Sequence, residues 1–235
     1  MALPPGTTDE AFLREVDEEY RRDQAMQIFQ RYGRLIIAAV VIALIALAGW
    51  LYWQHYTQSR AGTQGEEYDA AMRLVEQNQP DKAIPALDKI AANSGEGYSA
   101  MARIAQGNLL LQKNEVKGAA AKFGEVVNNA KYEQPYRDLA LIRQTVAEYD
   151  SLKPQVVIDR LKALTNPNSP WLGTAGELVA AAYLKAGNRA EAGRLYGQIA
   201  QGGAKVPESI RQRAVQLAGV LGVDAIDQSK ETKAK

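Results

Sequence analysis

The apolar positions of this chain fall into two patterns with different periods. From Leu35 to Trp53 the sequence reads LIIAAVVIALIALAGWLYW, nineteen residues with no charge and no polar face. A helix of that length covers about 28 Å, close to the ~30 Å hydrocarbon core of a bilayer. Soluble helices keep a polar face, so the run predicts a membrane-spanning helix over 35–53. After Arg60, apolar residues recur at three- and four-residue spacing in one segment after another, separated by proline or Gly/Asn clusters. That pattern predicts short antiparallel helices joined by tight turns, and no strand pattern interrupts it.

The flanks of the run set an orientation. Arg21, Arg22, Arg31 and Arg34 precede it closely, whereas the first basic residue after it is Arg60. Positive charge stays cytoplasmic, which predicts a cytoplasmic N-terminus and an exported domain after about residue 54. Tyr32 at one end and Trp50, Tyr52, Trp53 and Tyr56 at the other suit the two interfaces, and His55 among them reads as a solvated neighbour of the headgroups. A cleaved signal peptide is the rival, because Ala46-Leu47-Ala48 resembles a cleavage site. Against it, the preceding 34 residues carry seven acids and the apolar run continues to Trp53. Ala39, Ala43 and Ala46 share one face that another membrane helix can approach.

Residues 9–31 also read as helical. Asp9 is placed to cap, Phe12, Leu13, Val16 and Tyr20 follow at helical spacing, and acids precede bases as the helix dipole favours. Two readings stand for it, a solvated juxtamembrane helix and a docking helix for a cytoplasmic partner.

The exported part contains a repeat. A small residue followed by large apolar residues at +4 and +7 occurs at Ala83, Leu87, Ile90; at Ala119, Phe123, Val126; less cleanly at Val157, Leu161, Leu164; and at Ala192, Tyr196, Ile199. Successive starts lie 36, 38 and 35 residues apart, and a turn position precedes each triplet by five residues: Asn78, Asn114, Leu152 and Gly187. Such a period is the signature of a solenoid of helix pairs; a plain helical bundle is the alternative. The small residue admits the facing helix and the two larger ones fill the space between neighbours. The last helix, 207–221, reads as the cap a solenoid needs, and residues 223–235 as a disordered tail.

Tyr183, Gly187, Ala192, Tyr196 and Ile199 stand at the offsets of a tetratricopeptide repeat, and Gly107, Leu110, Asn114, Ala119 and Phe123 stand in matching places. The layout as a whole, with the run RRDQAMQIFQRYGRLIIAAVVIALIALAGWLYW as its most specific part, resembles the YfgM-like ancillary subunits of the bacterial SecYEG translocon. That resemblance implies a single-pass inner-membrane protein whose periplasmic repeats contact SecYEG and periplasmic chaperones and assist newly secreted proteins. It also locates the positions at which some tetratricopeptide modules clamp a terminal carboxylate with Lys, Asn and Arg. Here they are Tyr68, Met72, Ile104, Asn108, Leu139 and Arg143, of which two are suitable, so the clamp is expected to be absent.

The expected fold is therefore all-α. It comprises a tail (1–34), a single N-terminal transmembrane helix (35–53), a tetratricopeptide-like helical repeat solenoid (54–222) and a tail (223–235). The residues expected to pack the repeats are Ala83, Leu87, Ala119, Phe123, Tyr183, Gly187, Ala192 and Tyr196. Solenoids bind along the face lined by the first helix of each pair. The polar residues placed on those helices are Arg103, Gln106, Asn108, Arg143 and Gln144, with plain solvation as the alternative reading of each.

Composition narrows the chemistry. The 235 residues include no Cys and one His, 28 Lys+Arg against 27 Asp+Glu, and 46% hydrophobic residues. Thiolate nucleophiles, disulfides and Cys-ligated metals are excluded, and a Ser–His pair would have to use His55. The net charge of +1 gives no case for nucleic acid. It conceals three environments: 7 acids and 5 bases in residues 1–34, none in the span, and 20 acids and 23 bases beyond. Gly95-Glu96-Gly97-Tyr98-Ser99-Ala100 fits a dinucleotide fingerprint, but a helix rather than a strand precedes it. Neighbouring carboxylates such as Glu66-Glu67 do not face one another on a helix. No cofactor and no enzymatic activity are expected, and the partners expected are proteins and membrane lipid. An envelope scaffold for cell-wall or division machinery, and a membrane-bound Ser/Lys hydrolase, are the competing functions.

Overall fold

A computed structural model describes the backbone of residues 7–225 and the side chains of Met26 and residues 31–225. The roles expected of the Asp9, Phe12, Leu13, Val16 and Tyr20 side chains, and residues 226–235 of the expected tail, lie outside this range. Every regular element among the described residues is helical. The chain divides into two units, up to Ala61 and from Gly62 onward.

The first unit is helical from Thr7, within α1 (Thr7–Glu76). The juxtamembrane helix, the apolar run and the first repeat helix, expected as separate elements, are one unbroken helix. No proline or Gly/Asn cluster lies between Thr7 and Glu76 to stop it. The run is exposed along its length: Leu35, Ile42 and Ile45 are each 67% accessible and Trp53 is 68% accessible. Among the described residues it is the one helix long and apolar enough to cross a bilayer. At its end Tyr52 stacks on Tyr56, with ring centroids 6.4 Å apart, and Arg60 covers the Tyr56 ring at 4.7 Å.

The second unit stacks helix pairs. The last turns of α1 pair with α2 (Pro80–Asn93), α3 (Glu96–Gln112) with α4 (Val116–Val127), α5 (Gln134–Glu148) with α6 (Pro154–Leu161), and α7 (Leu172–Lys185) with α8 (Arg189–Ala200). The stack ends in α9 (Glu208–Val220). Three of the four expected turns take one conformation. Asn78, Asn114 and Gly187 have φ of 55°, 60° and 80°. In each turn, that residue's N–H bonds to the carbonyl three residues back and the next N–H bonds to the carbonyl five back. The bonds run from Asn78 N to Val75 O at 2.9 Å and Gln79 N to Leu74 O at 2.9 Å; from Asn114 N to Leu111 O at 2.9 Å and Glu115 N to Leu110 O at 2.8 Å; and from Gly187 N to Leu184 O at 3.0 Å and Asn188 N to Tyr183 O at 2.8 Å. This left-handed cap satisfies the helix's last carbonyls and turns the chain at once, and Asn and Gly are the residues that tolerate it. The third turn is built differently. Leu152 keeps a negative φ, and Pro154 starts α6 at its first helical position. α6 is only 8 residues long and tightens into a 3-10 turn over Lys162–Thr165, which is why its triplet is the least regular.

The second helices bury their triplets. Ala83, Leu87, Ala119, Phe123, Val126, Leu161, Ala192 and Ile199 are inaccessible, and Ile90, Val157 and Tyr196 nearly so; Leu164 is half-buried. The core is therefore a row of apolar clusters, each shared between neighbouring pairs. Gly107 is small for a packing reason, since a Cβ there would lie 2.5 Å from Cε1 of Phe123.

Gly222, with φ 81°, repeats the turn 35 residues after Gly187, so α9 holds the register of a further first helix. Counting back from the turn, Glu208, Gln212 and Val215 replace Ala100, Ile104 and Gly107, a polar and bulky set on which no second helix packs among the described residues. Arg213 ties α9 to Glu177 of α7 through paired bonds of 2.6 and 2.8 Å. The expected tail begins otherwise than anticipated: Val223 lies against Gly193 and Gly197 of α8, and Ala225 is buried in the last cluster. Two apolar residues with a glycine seat beneath them are enough to hold these first residues down.

Candidate functional site

The first helices of the first three pairs enclose a groove of about 460 Å³. α1 contributes Tyr68, Met72 and Val75; α3 contributes Met101, Ile104, Ala105, Asn108, Leu109 and Gln112; α5 contributes Tyr136 and Leu139. The α3 residues follow 3- and 4-residue spacing over about three turns, so one helix forms the floor and the other two form the walls. No Lys, Arg, Asp or Glu lines it. Tyr68 packs on Tyr98 with centroids 5.9 Å apart. Burial, and then the Asp69 carboxylate, push the Tyr68 phenol above its ordinary value, so it is a neutral hydroxyl at any physiological pH.

Five of the six clamp positions named from the repeat register line this groove: Tyr68, Met72, Ile104, Asn108 and Leu139. The sixth, Arg143, is exposed and is not part of the lining. A carboxylate entering here would meet two amides, those of Asn108 and Gln112, and no cation.

The five polar residues expected on the binding face are not brought together. Asn108 alone lies in the groove. Gln106 is 1% accessible and points at the second helix of the preceding pair, donating to Asp88 Oδ1 at 2.7 Å, while its Oε1 has no partner. Arg103 donates from Nε to the Tyr132 hydroxyl at 3.0 Å and from Nη1 to Glu125 Oε2 at 2.8 Å. Gln144 borders a separate polar depression formed mainly by α4 residues, with Lys117 and Glu125.

The contacts of Arg103 belong to a structural hub. Ser99 donates to Ala91 O at 2.6 Å and shares a hydrogen bond with the Tyr132 hydroxyl at 2.9 Å, so a loop residue is joined to α2 and α3. Burial opposes ionisation of Tyr132, yet the Ser99 and Arg103 bonds outweigh it and bring the phenol below its ordinary value.

Among the described residues no group of three or more His, Asp or Glu side chains is placed to hold a metal ion. The Gly95–Ala100 motif caps and opens α3 directly after α2, with no strand before it. Sequence reasoning missed Val75, Met101, Ala105, Leu109, Gln112 and Tyr136 of the groove. The signal was there, because Met101, Ala105 and Gln112 lie one turn from Ile104 and Asn108 on the same helix face.

A model of the tetratricopeptide repeat-like domain matches residues 27–218. Two curated relatives, each described as an ancillary SecYEG translocon subunit, are similar to parts of the chain. The one from Escherichia coli (strain K12) is 29% identical over 107 residues, 46% of this chain and 52% of the relative. The one from Haemophilus influenzae is 22% identical over 118 residues, 50% of this chain and 58% of the relative. The chain thus spans about half the length of the curated relatives it matches. With four helix pairs in one register and a family match across most of its length, the chain belongs to the tetratricopeptide repeat-like family and is a relative of the ancillary SecYEG translocon subunits.

Proposed function

We propose that this chain is a single-pass protein of the bacterial inner membrane, with its N-terminus in the cytoplasm and its repeats in the periplasm. It serves the Sec translocon as a chaperone-like accessory, acting by binding and not by turnover. The observation that carries this reading is the uncharged groove of about 460 Å³: it offers newly secreted proteins and periplasmic chaperones an apolar lining for a few side chains. The relatives' description supports SecYEG as the assembly it joins. Arginines before the apolar run and aromatic residues after it support the orientation.

An anchor held among the lipids raises the local concentration of the repeats near the translocon, so each contact can be weak and reversible. That suits a subunit that must release what it holds. Deleting residues 35–53 tests the anchoring: co-purification with SecYEG in mild detergent should be lost, and retained stoichiometric binding would sink the idea. A reporter active only in the periplasm, fused after Leu221, should be active; an inactive fusion overturns the orientation.

A further inference from the structure

The chain carries four methionines and no cysteine, so thioethers are its only sulfur. Two of the four, Met72 and Met101, follow the apolar run, and both line the groove. Met72 comes from α1 and Met101 from α3, and each is half-buried. Met72 packs on the edge of the first apolar cluster, whereas Met101 belongs to none of the clusters among the described residues. Neither is enclosed as Leu87 and Phe123 are. A thioether is apolar and repacks readily, but one added oxygen turns it into a polar sulfoxide. Hydrogen peroxide is small and uncharged, and no charged residue in the lining alters its access to these sulfurs.

We propose that Met72 and Met101 form an oxidation site, at which peroxide reversibly loosens the groove's hold on polypeptide. The proposal rests on the groove being the site at which this chain binds polypeptides. A sulfur lone pair attacks one peroxide oxygen, so that the S–O bond forms as the O–O bond breaks. The proton on the transferred oxygen passes to the departing one, which leaves as water. Sulfur is oxidised by two electrons and the peroxide is reduced by two. The way back uses a dithiol reductant, which removes the oxygen as water and becomes a disulfide. The oxidised lining is accommodated within the fold, because Asn108 and Gln112 bring amide donors to the same groove. Met72 and Asn108 hold the same place in successive first helices, 36 residues apart, so an oxygen on Met72 has a donor on the neighbouring helix. An apolar segment entering the oxidised groove must strip water from the sulfoxides, which weakens binding without unfolding the chain.

The test uses the full chain in lipid nanodiscs, treated with hydrogen peroxide, and a fluorescent Val/Leu/Ala peptide acetylated at its N-terminus and amidated at its C-terminus. Mass spectrometry should find one added oxygen at Met72 and at Met101, while circular dichroism shows the helix content unchanged. Peptide binding should weaken about tenfold for each sulfoxide. It should return after treatment with the two sulfoxide reductases, one for each epimer. The double variant Met72→Leu, Met101→Leu keeps the lining apolar at nearly the same volume, so it should bind the peptide before peroxide and equally well after it. The proposal is overturned if neither methionine gains oxygen, if binding is unchanged or tighter after oxidation, or if helix content falls together with binding. A loss that persists in the double variant overturns it too, because the sensitive group then lies elsewhere. Absence of peptide binding before any peroxide removes the polypeptide reading and this device with it, whereas binding that ignores oxidation removes the device alone.

Discussion

Replacing Gly107 with alanine tests the helix-pair packing at its tightest point. The new Cβ would lie 2.5, 2.7 and 2.9 Å from Cε1, Cζ and Cδ1 of Phe123. Carbon atoms rest at about 3.5–4.0 Å, so the ring must retreat by about 1 Å. Phe123 is wholly inaccessible, packed with Ala100, Ile104 and Val126, so a retreat of the ring displaces these neighbours. Overpacking of this kind costs about 1–3 kcal/mol, which the better helix propensity of alanine offsets by about 0.8–1.0 kcal/mol. The net loss is on the order of 1 kcal/mol, a fall of about 2–4 °C in Tm for a chain of this size. Gly219→Ala is the control. It lies near the end of α9, where an added Cβ would meet nothing within 4 Å, so only the propensity gain applies and Tm should rise or hold. Melting of both variants in detergent micelles, followed by circular dichroism, reads the difference in sign. If Gly107→Ala raises Tm as Gly219→Ala does, the close approach of α3 to the Phe123 ring is wrong, and with it the register built on that pair.

Three further perturbations have expected outcomes. Tyr132→Phe removes the hydroxyl bonded to Ser99 and Arg103 and should lower stability by about 1–2 kcal/mol in the same melts; no change would mean the hub is not formed. Gly187→Ala meets no atom within 4 Å but must hold φ near 80°, so it should cost about 1–2 kcal/mol, whereas Gly187→Asn should cost less. Ile42→Lys puts a charge mid-way along the exposed apolar run, at a cost of about 2.5–3.5 kcal/mol in a bilayer, and should reduce the carbonate-resistant membrane fraction; full retention would contradict a span centred there.

How far the sequence could be read depended on the distance over which each feature is encoded. The apolar run and the turns at Asn78, Asn114 and Gly187 are local, since a few residues decide them, and they were legible. The triplets were legible because repetition turns a tertiary contact into a period, as the burial of Leu87, Phe123 and Ile199 shows. The direction of a polar side chain on a repeat helix is not local. Gln106 and Asn108 are two residues apart on α3, yet one bonds Asp88 on α2 and the other faces the groove. A turn of about 200° around the helix separates them, twice the roughly 100° per residue of an α-helix. Arg103 likewise turned on Tyr132, a residue 29 positions away with no spacing to announce it. The unbroken α1 escaped for another reason: three environments with three compositions looked like three elements, although no residue in them breaks a helix.

The most direct test of the account is photo-crosslinking in living cells from residue 108 in the groove, compared with residue 117 on the far side of the second repeat. With Asn108 replaced by a photoreactive residue, secretory polypeptides in transit and translocon-associated proteins should be captured, and capture should fall when export is blocked; position 117 should give little of either. Equal capture at both positions, or capture at 108 that does not respond to export, would contradict a groove that serves secretion.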